Sequence, residues 1–377
     1  MCGIAGIYDP VISGNELEQR IRAMTSSISH RGPDHIQTFS SSPIALGHAR
    51  LSILDLSENG FQPMKDNISG VTITFNGEIY NFKDLKKELV SLGHKFSSSS
   101  DTEVILKSYL EWGMPGLKKC EGIFALCIWD PRRNKVILLR DRLGVKPLYY
   151  RFSDGQLSFG SELKCLMTEP NKNYSLNDQS FMEYLWFGNF YEDRTIFKDI
   201  HQLEPGNWLI LENSNFSIES WWSVENYSNL DKFQGTFSDA VEVLNETIDD
   251  SVNRQLISDV PVGIFLSGGL DSSAIAASAS NLSAKRLDSF SAGFDFDKGV
   301  NEIPKAKKVA DILGLKHHEL KIKGTNIQET IIDLVRFHDE PFADAANIPL
   351  FLMARELKGK IKVVLQGDGG DEMFAGY

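Results

Sequence analysis

Two stretches of this chain carry residues spaced for chemistry on phosphate oxygens, and a third offers a nucleophile. The first, Ser267-Gly268-Gly269-Leu270-Asp271-Ser272-Ser273, follows the apolar run from Val260 to Leu266. It reads as a buried strand, a tight glycine turn and a helix opening at Leu270. Such a join leaves unpaired N–H groups pointing outward at the positive end of a helix, which makes an anion site. Asp271, Ser272 and Ser273 fall in the first helical turn, where a carboxylate suits Mg²⁺ and hydroxyls reach phosphate oxygens. No lysine follows the glycines, so this is not the Walker loop. A loop of serines, glycines and one acid suits a pyrophosphate that leaves with its metal. A purely structural strand-turn-helix is the alternative. The second stretch is Gln366-Gly367-Asp368-Gly369-Gly370-Asp371-Glu372, again a glycine-rich acidic turn at a strand end. Acids from two such turns can share Mg²⁺ on a triphosphate; a calcium-like or merely solvated loop is the alternative.

The nucleophile is Cys2. A small residue at position 2 permits removal of the initiator Met, which leaves Cys2 with a free α-amine. That amine has a reference pKa of about 7.7–8.0, placed to take the proton of its own thiol near neutral pH. One residue then supplies nucleophile and base, the cysteine counterpart of a threonine with its N-terminal amine. Taken alone, a cysteine at this position is more often inert.

These residues need a frame. Around Cys2, Gly3 to Tyr8 reads as a buried strand, His30 to Asp34 as a charged turn, and His48 to Ile53 as a strand carrying Arg50. Thr72 to Phe75 is an alternating strand ending at Asn76-Gly77, a pair expected to turn because it favours positive φ. Ser100 reads as the N-cap of a helix with an acidic first turn at Asp101 and Glu103. Glu121 to Trp129 and Lys135 to Asp141 are consecutive strands, and Asp178 to Phe187 a helix. A boundary is expected near residues 222–235, where the chain turns polar. A helix from Ser238 to Leu256 leads into the first glycine turn. Strands at 286–294, 317–322 and 362–365 then alternate with helices at 302–313, 326–338 and 349–357. That alternation argues a doubly wound parallel sheet with ligands at the strand C-termini.

Length and composition agree. At 377 residues the chain exceeds what one core usually serves, so two domains are expected. The 51 acidic against 39 basic residues give a net charge of −12, which argues against a nucleic-acid surface. Cys2, Cys120, Cys127 and Cys165 form no CxxC pair, so zinc and a disulfide framework are not expected. Reduced cysteines, no signal peptide and no span of apolar residues long enough for a bilayer give the cytoplasm as the expected location.

Taken in order and spacing, MCGIAG, HRGPD, RLSI, NGEIYN and SDTEV resemble a class II glutamine amidotransferase domain. SGGLDSS followed by GDGGDEMFAGY resembles the synthetase domain of glutamine-hydrolysing asparagine synthetases, so the resemblance covers essentially the whole chain. It implies an N-terminal-nucleophile hydrolase αββα sandwich over residues 1–225. An ATP-pyrophosphatase domain, incomplete, follows over 226–377, the two together mixing α+β and α/β classes. It implies that Cys2 attacks the glutamine side-chain amide while Asn76 and Gly77 form the oxyanion hole. Arg50, Leu51, Ile53, Glu78 and Asp101 would bind glutamine, with Arg50 on the α-carboxylate and Asp101 and Glu78 on the α-ammonium. For Arg50 a surface ion pair, and for Asp101 a helix cap, are the plainer alternatives; His30 reads as a structural loop residue. ATP would contact Leu266, Ser267, Gly268, Gly269, Asp271, Ser272, Ser273, Ala292, Gly367 and Asp368, with Mg²⁺ on Asp271 and Asp371. The implied partners are small molecules (glutamine, ATP, aspartate), and a homodimer is a family-level expectation. The Arg140 to Tyr150 and Phe159 to Lys164 segments are expected to serve the sheet and the domain interface.

Two departures qualify the resemblance. Family members continue well beyond Tyr377, and the lysine that stabilises adenylation lies in that part; these 377 residues alone are expected to hydrolyse glutamine without forming an amide product. The stretch Asp339 to Asn347 lacks the arginine of the best-studied members, Ala345 standing in its place. Aspartate is therefore the first expectation for the acceptor, and another carboxylate, such as a sugar uronic acid, the second.

Overall fold

The computed structural model describes residues 1–168, 173–228, 232–294, 301–322, 327–344 and 346–376. Ala345, and Asn326 at the expected start of a helix, lie outside them. The chain divides into two compact units, Met1–Leu230 with Phe337–Ala343, and Asp231–Arg336 with Asp344–Tyr377.

The first unit is built on two six-stranded sheets. Strands β1 (Gly3–Tyr8), β2 (His35–Ser41), β3 (Ile44–Arg50), β4 (Met64–Lys65), β5 (Thr72–Ile79) and β6 (Gly122–Asp130) are followed by β7 (Lys135–Arg140), β8 (Tyr149–Ser153) and β9 (Gln156–Gly160). β10 (His201–Gln202), β11 (Asn207–Glu212) and β12 (Asn215–Ser220) complete the set. One sheet runs β10-β8-β9-β1-β3-β2 and the other β12-β11-β7-β6-β5-β4, with every pairing antiparallel.

Why the sheets stack is legible in the alternation. Ile4, Tyr8, Leu46, Leu157 and Phe159 from the first sheet meet Ala125, Cys127, Trp129, Leu138 and Leu209 from the second in one buried cluster. Each fully buried side chain of this size contributes about 1.5–3 kcal/mol of transfer free energy. The opposite face of β1 and β3 (Ala5, Ile7, Ala45) packs against Leu17, Ile21 and Met24 of helix α1 (Gly14–Ser27). On the other sheet, α3 (Asp101–Trp112) packs against both β5 and α2 (Phe82–Ser91). Helix, sheet, sheet, helix is the N-terminal-nucleophile hydrolase sandwich. Cys120 and Cys127 are buried, as expected of small apolar residues, and all four cysteines are free.

Three boundaries differ from the sequence reading. The strand carrying Arg50 ends at that residue, so Leu51 to Ile53 lie in a loop. β5 does not stop at Phe75 but runs on to Ile79, and Asn76-Gly77 is strand rather than turn. The short segment Phe337–Ala343 belongs to the first unit. There Asp339 accepts the Lys164 N–H at 2.9 Å and pairs with Lys164 Nζ at 3.1 Å, while Glu340 accepts the Ile196 N–H at 3.3 Å.

The second unit is a four-stranded parallel sheet of β13 (Val262–Phe265), β14 (Asp288–Phe294), β15 (Lys316–Ile322) and β16 (Val363–Leu365), in the order β15-β14-β13-β16. The chain steps outward from β13 through β14 to β15, then returns to pair β16 on the other flank of β13. Helices Phe237–Gln255, opened by a Thr236–Asp239 capping box, and Leu270–Leu282 contribute Val252, Ala276 and Ala279 to its core. Among the described residues, no helix is long and apolar enough to cross a membrane.

Candidate active site

Cys2 sits immediately before β1, the strand shared by both neighbours at the centre of its sheet, so its backbone is fixed from several sides. Arg31 Nε donates to the Cys2 carbonyl at 2.9 Å while Arg31 Nη1 reaches Glu162 at 2.8 Å. Glu162 also takes His30 at 3.0 Å, which gives His30 the structural role expected of it. Burial pushes the Glu162 carboxyl up, but the His30 bond and the nearby cations outweigh it and hold it down at about 2. The Cys2 thiol touches the Leu51 backbone, with the Leu51 N–H 3.4 Å from Sγ. Burial pushes that thiol above its ordinary value, only partly offset by the Leu51 N–H. A thiol held protonated needs a base. The Met1 α-amine is pulled down to about 6, first by burial and, against the opposing Cys2 charge, further by the Arg31 and Lys146 cations. Loss of Met1 would put the Cys2 α-amine beside the thiol instead, with a reference pKa of about 7.7–8.0.

Cys2 opens into a solvent-facing pocket lined also by Arg50, Leu51, Ile53, Gly77, Glu78 and Asp101. Seven of the eight residues expected for catalysis and glutamine binding therefore share one cavity; Asn76, the eighth, adjoins it behind Gly77. Arg50 is aimed by backbone. Its guanidinium donates to the carbonyls of Ser57 (3.0 Å), Leu54 (3.2 Å) and Asp55 (2.5 Å), and it lies 5.4 Å from the Phe61 ring centroid. Three of its five N–H donors are used this way, and the others are not taken by these carbonyls. A Cβ on Gly60 would fall 2.3 Å from Arg50 Nη2, so only glycine lets the loop close over the guanidinium. Asp101 opens α3, capped by Ser100, and accepts the Ile79 N–H at 2.9 Å. Burial pushes its carboxyl up, and the Ile79 N–H and Arg50 oppose that.

The register of β5 explains Asn76 and Gly77. Phe124, opposite Gly77, spends its N–H and carbonyl on Asp141, at 3.1 and 2.8 Å. Gly77 therefore faces away from β6, on the same edge as its alternate neighbours. On that edge the Phe75 N–H donates to Gln62 at 2.7 Å and the Ile79 N–H to Asp101. The Gly77 amide between them faces the pocket. Its φ of +152° and the Ile123 carbonyl, 2.2 Å from where a Cβ would be, exclude any other residue. Asn76 is 1% exposed, and its Nδ2 has no hydrogen-bond partner among the described residues. A buried amide donor without an acceptor is costly in a resting protein. It is what an oxyanion hole requires.

Sequence reading missed Arg31, Asp55 and Gln62. Arg31 stood inside a motif noted only for its charge, and Gln62, which also donates to Thr102 at 3.1 Å, gave no signal in a polar loop. The Arg140 segment is a staple, as expected of a sheet element: Arg140 donates to the carbonyls of Lys146, Gly144 and Leu203.

In the second unit the two glycine turns follow β13 and β16, the adjacent strands at which the chain order reverses. That crevice is where open α/β sheets bind ligands. Gly268 has φ +79°, and the Gly269 N–H donates to Ser267 Oγ at 3.2 Å. The Ser267 and Ser272 hydroxyls lie 2.9 Å apart. The turns touch: a Cβ on Gly367 would fall 2.8 Å from the Ser272 nitrogen, and one on Gly370 2.6 Å from the Asp271 carboxyl carbon. This brings Ser267, Gly268, Gly269, Asp271, Ser272, Ser273, Gly367, Asp368 and Asp371 to one end of the sheet. Leu266 is buried in the core and Ala292 lies on β14 beside it. Among the described residues no cluster of three or more His, Cys, Asp or Glu forms a metal site. Two acids suffice for Mg²⁺ that arrives on a nucleotide, since that ion takes one or two carboxylates plus phosphate oxygens.

A two-sheet sandwich with a cysteine nucleophile at its N-terminus, joined in one chain to a parallel-sheet unit with paired glycine turns, defines a two-unit amidotransferase-type architecture. The family description "Glutamine amidotransferase domain" matches residues 1–222, and "Asparagine synthase" matches residues 243–377. The chain belongs to the glutamine-hydrolysing asparagine synthetase family. It is 35% identical over 380 residues to asparagine synthetase [glutamine-hydrolyzing] 1 of Bacillus subtilis, across 100% of this chain and 59% of that protein. It is 35% identical over 393 residues to number 3 of the same organism, across 63% of its length. Amidase chry2 of Gibberella zeae is 30% identical over 407 residues, across 59% of its length. The chain thus spans about three-fifths of the length of these curated relatives.

Proposed function

We propose that the first unit hydrolyses glutamine to glutamate and ammonia at Cys2. The second unit binds ATP and, in the whole protein, activates the aspartate side-chain carboxylate as an acyl-adenylate with release of pyrophosphate. Ammonia then displaces AMP to give asparagine. The observation that carries this reading is the polarity of the Cys2 pocket, with a thiol and an outward Gly77 amide beside the Arg50 guanidinium and the Asp101 carboxylate. Glutamine matches it end for end. Its amide carbon meets Sγ, its α-carboxylate takes the guanidinium, and its α-ammonium meets Asp101 and Glu78. The Cys2 α-amine takes the thiol proton and returns it to the leaving ammonia. Asn76 Nδ2 and the Gly77 N–H hold the oxyanion.

In the second unit the Ser267–Gly269 turn and the start of the Leu270–Leu282 helix offer N–H and hydroxyl donors to pyrophosphate. Asp271 and Asp371 would hold Mg²⁺, which neutralises phosphate charge when bound. A second reading has a sugar uronic acid or another carboxylate as acceptor. It is favoured by the stretch Asp339 to Asn347, which contains no arginine to bind a second carboxylate.

The deciding assay supplies the full-length gene product with glutamine, Mg²⁺-ATP and aspartate and follows AMP and asparagine together. Equal amounts of both are expected. Glutamate release without aspartate-dependent AMP would remove aspartate and leave the second reading.

The pH dependence follows from the amine. It accepts a proton only when neutral, so activity is present above its pKa and is lost as pH falls through it. kcat/KM for glutamine is expected to fall as pH drops through the range of the freed amine, about 7.7–8.0 for an unperturbed α-amine, by about tenfold per unit. Protonation of Asp101 weakens ammonium binding on the same acid side. A profile with no acid limb would remove the α-amine as the base.

A further inference from the structure

We infer that Asp55 is a positioning residue that couples the two ends of the amino-acid site, and this rests on reading the Cys2 pocket as a glutamine site. Asp55 does not itself line the pocket. It is 7% exposed and stands between the two segments that present Arg50 and Asp101. Its backbone has φ +51°, a left-handed conformation that Asp tolerates better than most side chains. That kink turns its carbonyl onto Arg50 Nη2 at 2.5 Å.

The carboxylate then holds the kink. One oxygen accepts the Ser57 N–H at 3.1 Å and the Ser57 hydroxyl at 2.5 Å, closing an Asx-type turn. Ser57 in turn offers its carbonyl to Arg50 Nη1. Asp55 therefore shapes the cradle of carbonyls that fixes the guanidinium. The other oxygen accepts the Ser99 N–H at 2.7 Å, 44 positions along the chain. Ser99 precedes the cap residue Ser100 and Asp101 itself, in a segment that Glu103 also ties down through the Ser98 N–H at 2.7 Å. One carboxylate thus spans the loop that aims the cation and the turn that presents the anion. It fixes the spacing between the groups that would take the α-carboxylate and the α-ammonium. Burial pushes this carboxyl up, yet the Ser57 and Ser99 donors outweigh it and keep it below the ordinary value. The link therefore stays charged through the working pH range.

The test compares wild type with Asp55→Ala and Asp55→Asn. Glutamine KM is expected to rise about 10- to 100-fold in Asp55→Ala with a much smaller change in kcat, the result of misplacing both grips by a fraction of an ångström to an ångström. Asp55→Asn keeps the shape but turns one acceptor into a donor, and its KM should fall between the two. Alkylation of Cys2 by iodoacetamide, which has no amino-acid ends, should be unchanged. Labelling by a diazoketone analogue of glutamine should weaken in step with KM. An unchanged KM in both variants overturns the proposal, as does a parallel fall of both labelling rates, which would make Asp55 merely structural. If Asp55→Ala does not melt cooperatively, Asp55→Asn carries the same comparison. Wild type that neither saturates with glutamine nor takes the analogue would remove the glutamine reading itself, and this role of Asp55 with it.

Discussion

Cys2→Ala is expected to abolish glutamate release from glutamine, by about 10⁴-fold or more, because removing the nucleophile of a group that acts as a unit removes nearly all of its effect. No other thiol can take over. Cys120 and Cys165 are buried and their thiols are pushed up to about 12 by that burial, and burial raises the Cys127 thiol too. The fold should not notice the change. Cys2 Sγ makes only long contacts to the Leu51 backbone, at 3.4 and 3.5 Å, so the melting temperature should stay within a degree or two of wild type. A glutamate assay with a melting curve on the same sample checks both halves. Glutamate release surviving in Cys2→Ala would refute the assignment of the nucleophile.

Asn76→Ala is expected to lower kcat about 10²- to 10³-fold with KM little changed, the signature of a donor used in the transition state and not in the ground state. The same substitution should leave stability equal or slightly higher. Nδ2 is buried without a partner, and such a group destabilises the resting protein by about 1–3 kcal/mol, which alanine relieves at the expense of a small cavity. Activity and stability moving in opposite directions separates a functional orphan from a packing residue. Steady-state kinetics and thermal unfolding of one variant decide it. A fall in both together would assign Asn76 to the scaffold. Gly77→Ala is a poorer probe, because its Cβ would strike the Ile123 carbonyl and disturb β5 directly.

What the sequence made legible was local. The glycine turn after β13 was readable from the join of apolar run, glycines and helix. The Ser100 cap was readable because capping chemistry lies within three residues. The pocket's second layer was not readable, because it is assembled across long separations. Asp55 meets Ser99, Gln62 meets Phe75 and Thr102, and Arg31 meets Cys2 and Glu162. No periodicity records such contacts. Asn76-Gly77 misled for a physical reason. The pair favours positive φ, and Gly77 does adopt it, but the ladder to β6 continues through both residues and holds them as strand. Arg50 misled in the opposite sense: Leu51 and Ile53 alternate with Ser52 past it as a strand would, yet the chain must leave the sheet there to wrap the guanidinium in carbonyls. The place of Phe337–Ala343 in the first unit depends on Lys164 and Ile196, far away in sequence.

On the reading proposed above, this pocket presents an N-terminal cysteine to the side-chain amide of glutamine. The most direct test of that reading is to treat the protein with the diazoketone analogue near neutral pH, with and without excess glutamine, and to map the adduct by mass spectrometry. One adduct is expected, on Cys2 as the first residue after loss of Met1, and glutamine should suppress it. An adduct on another residue, or full glutamine hydrolysis by protein that still carries Met1, would contradict the account.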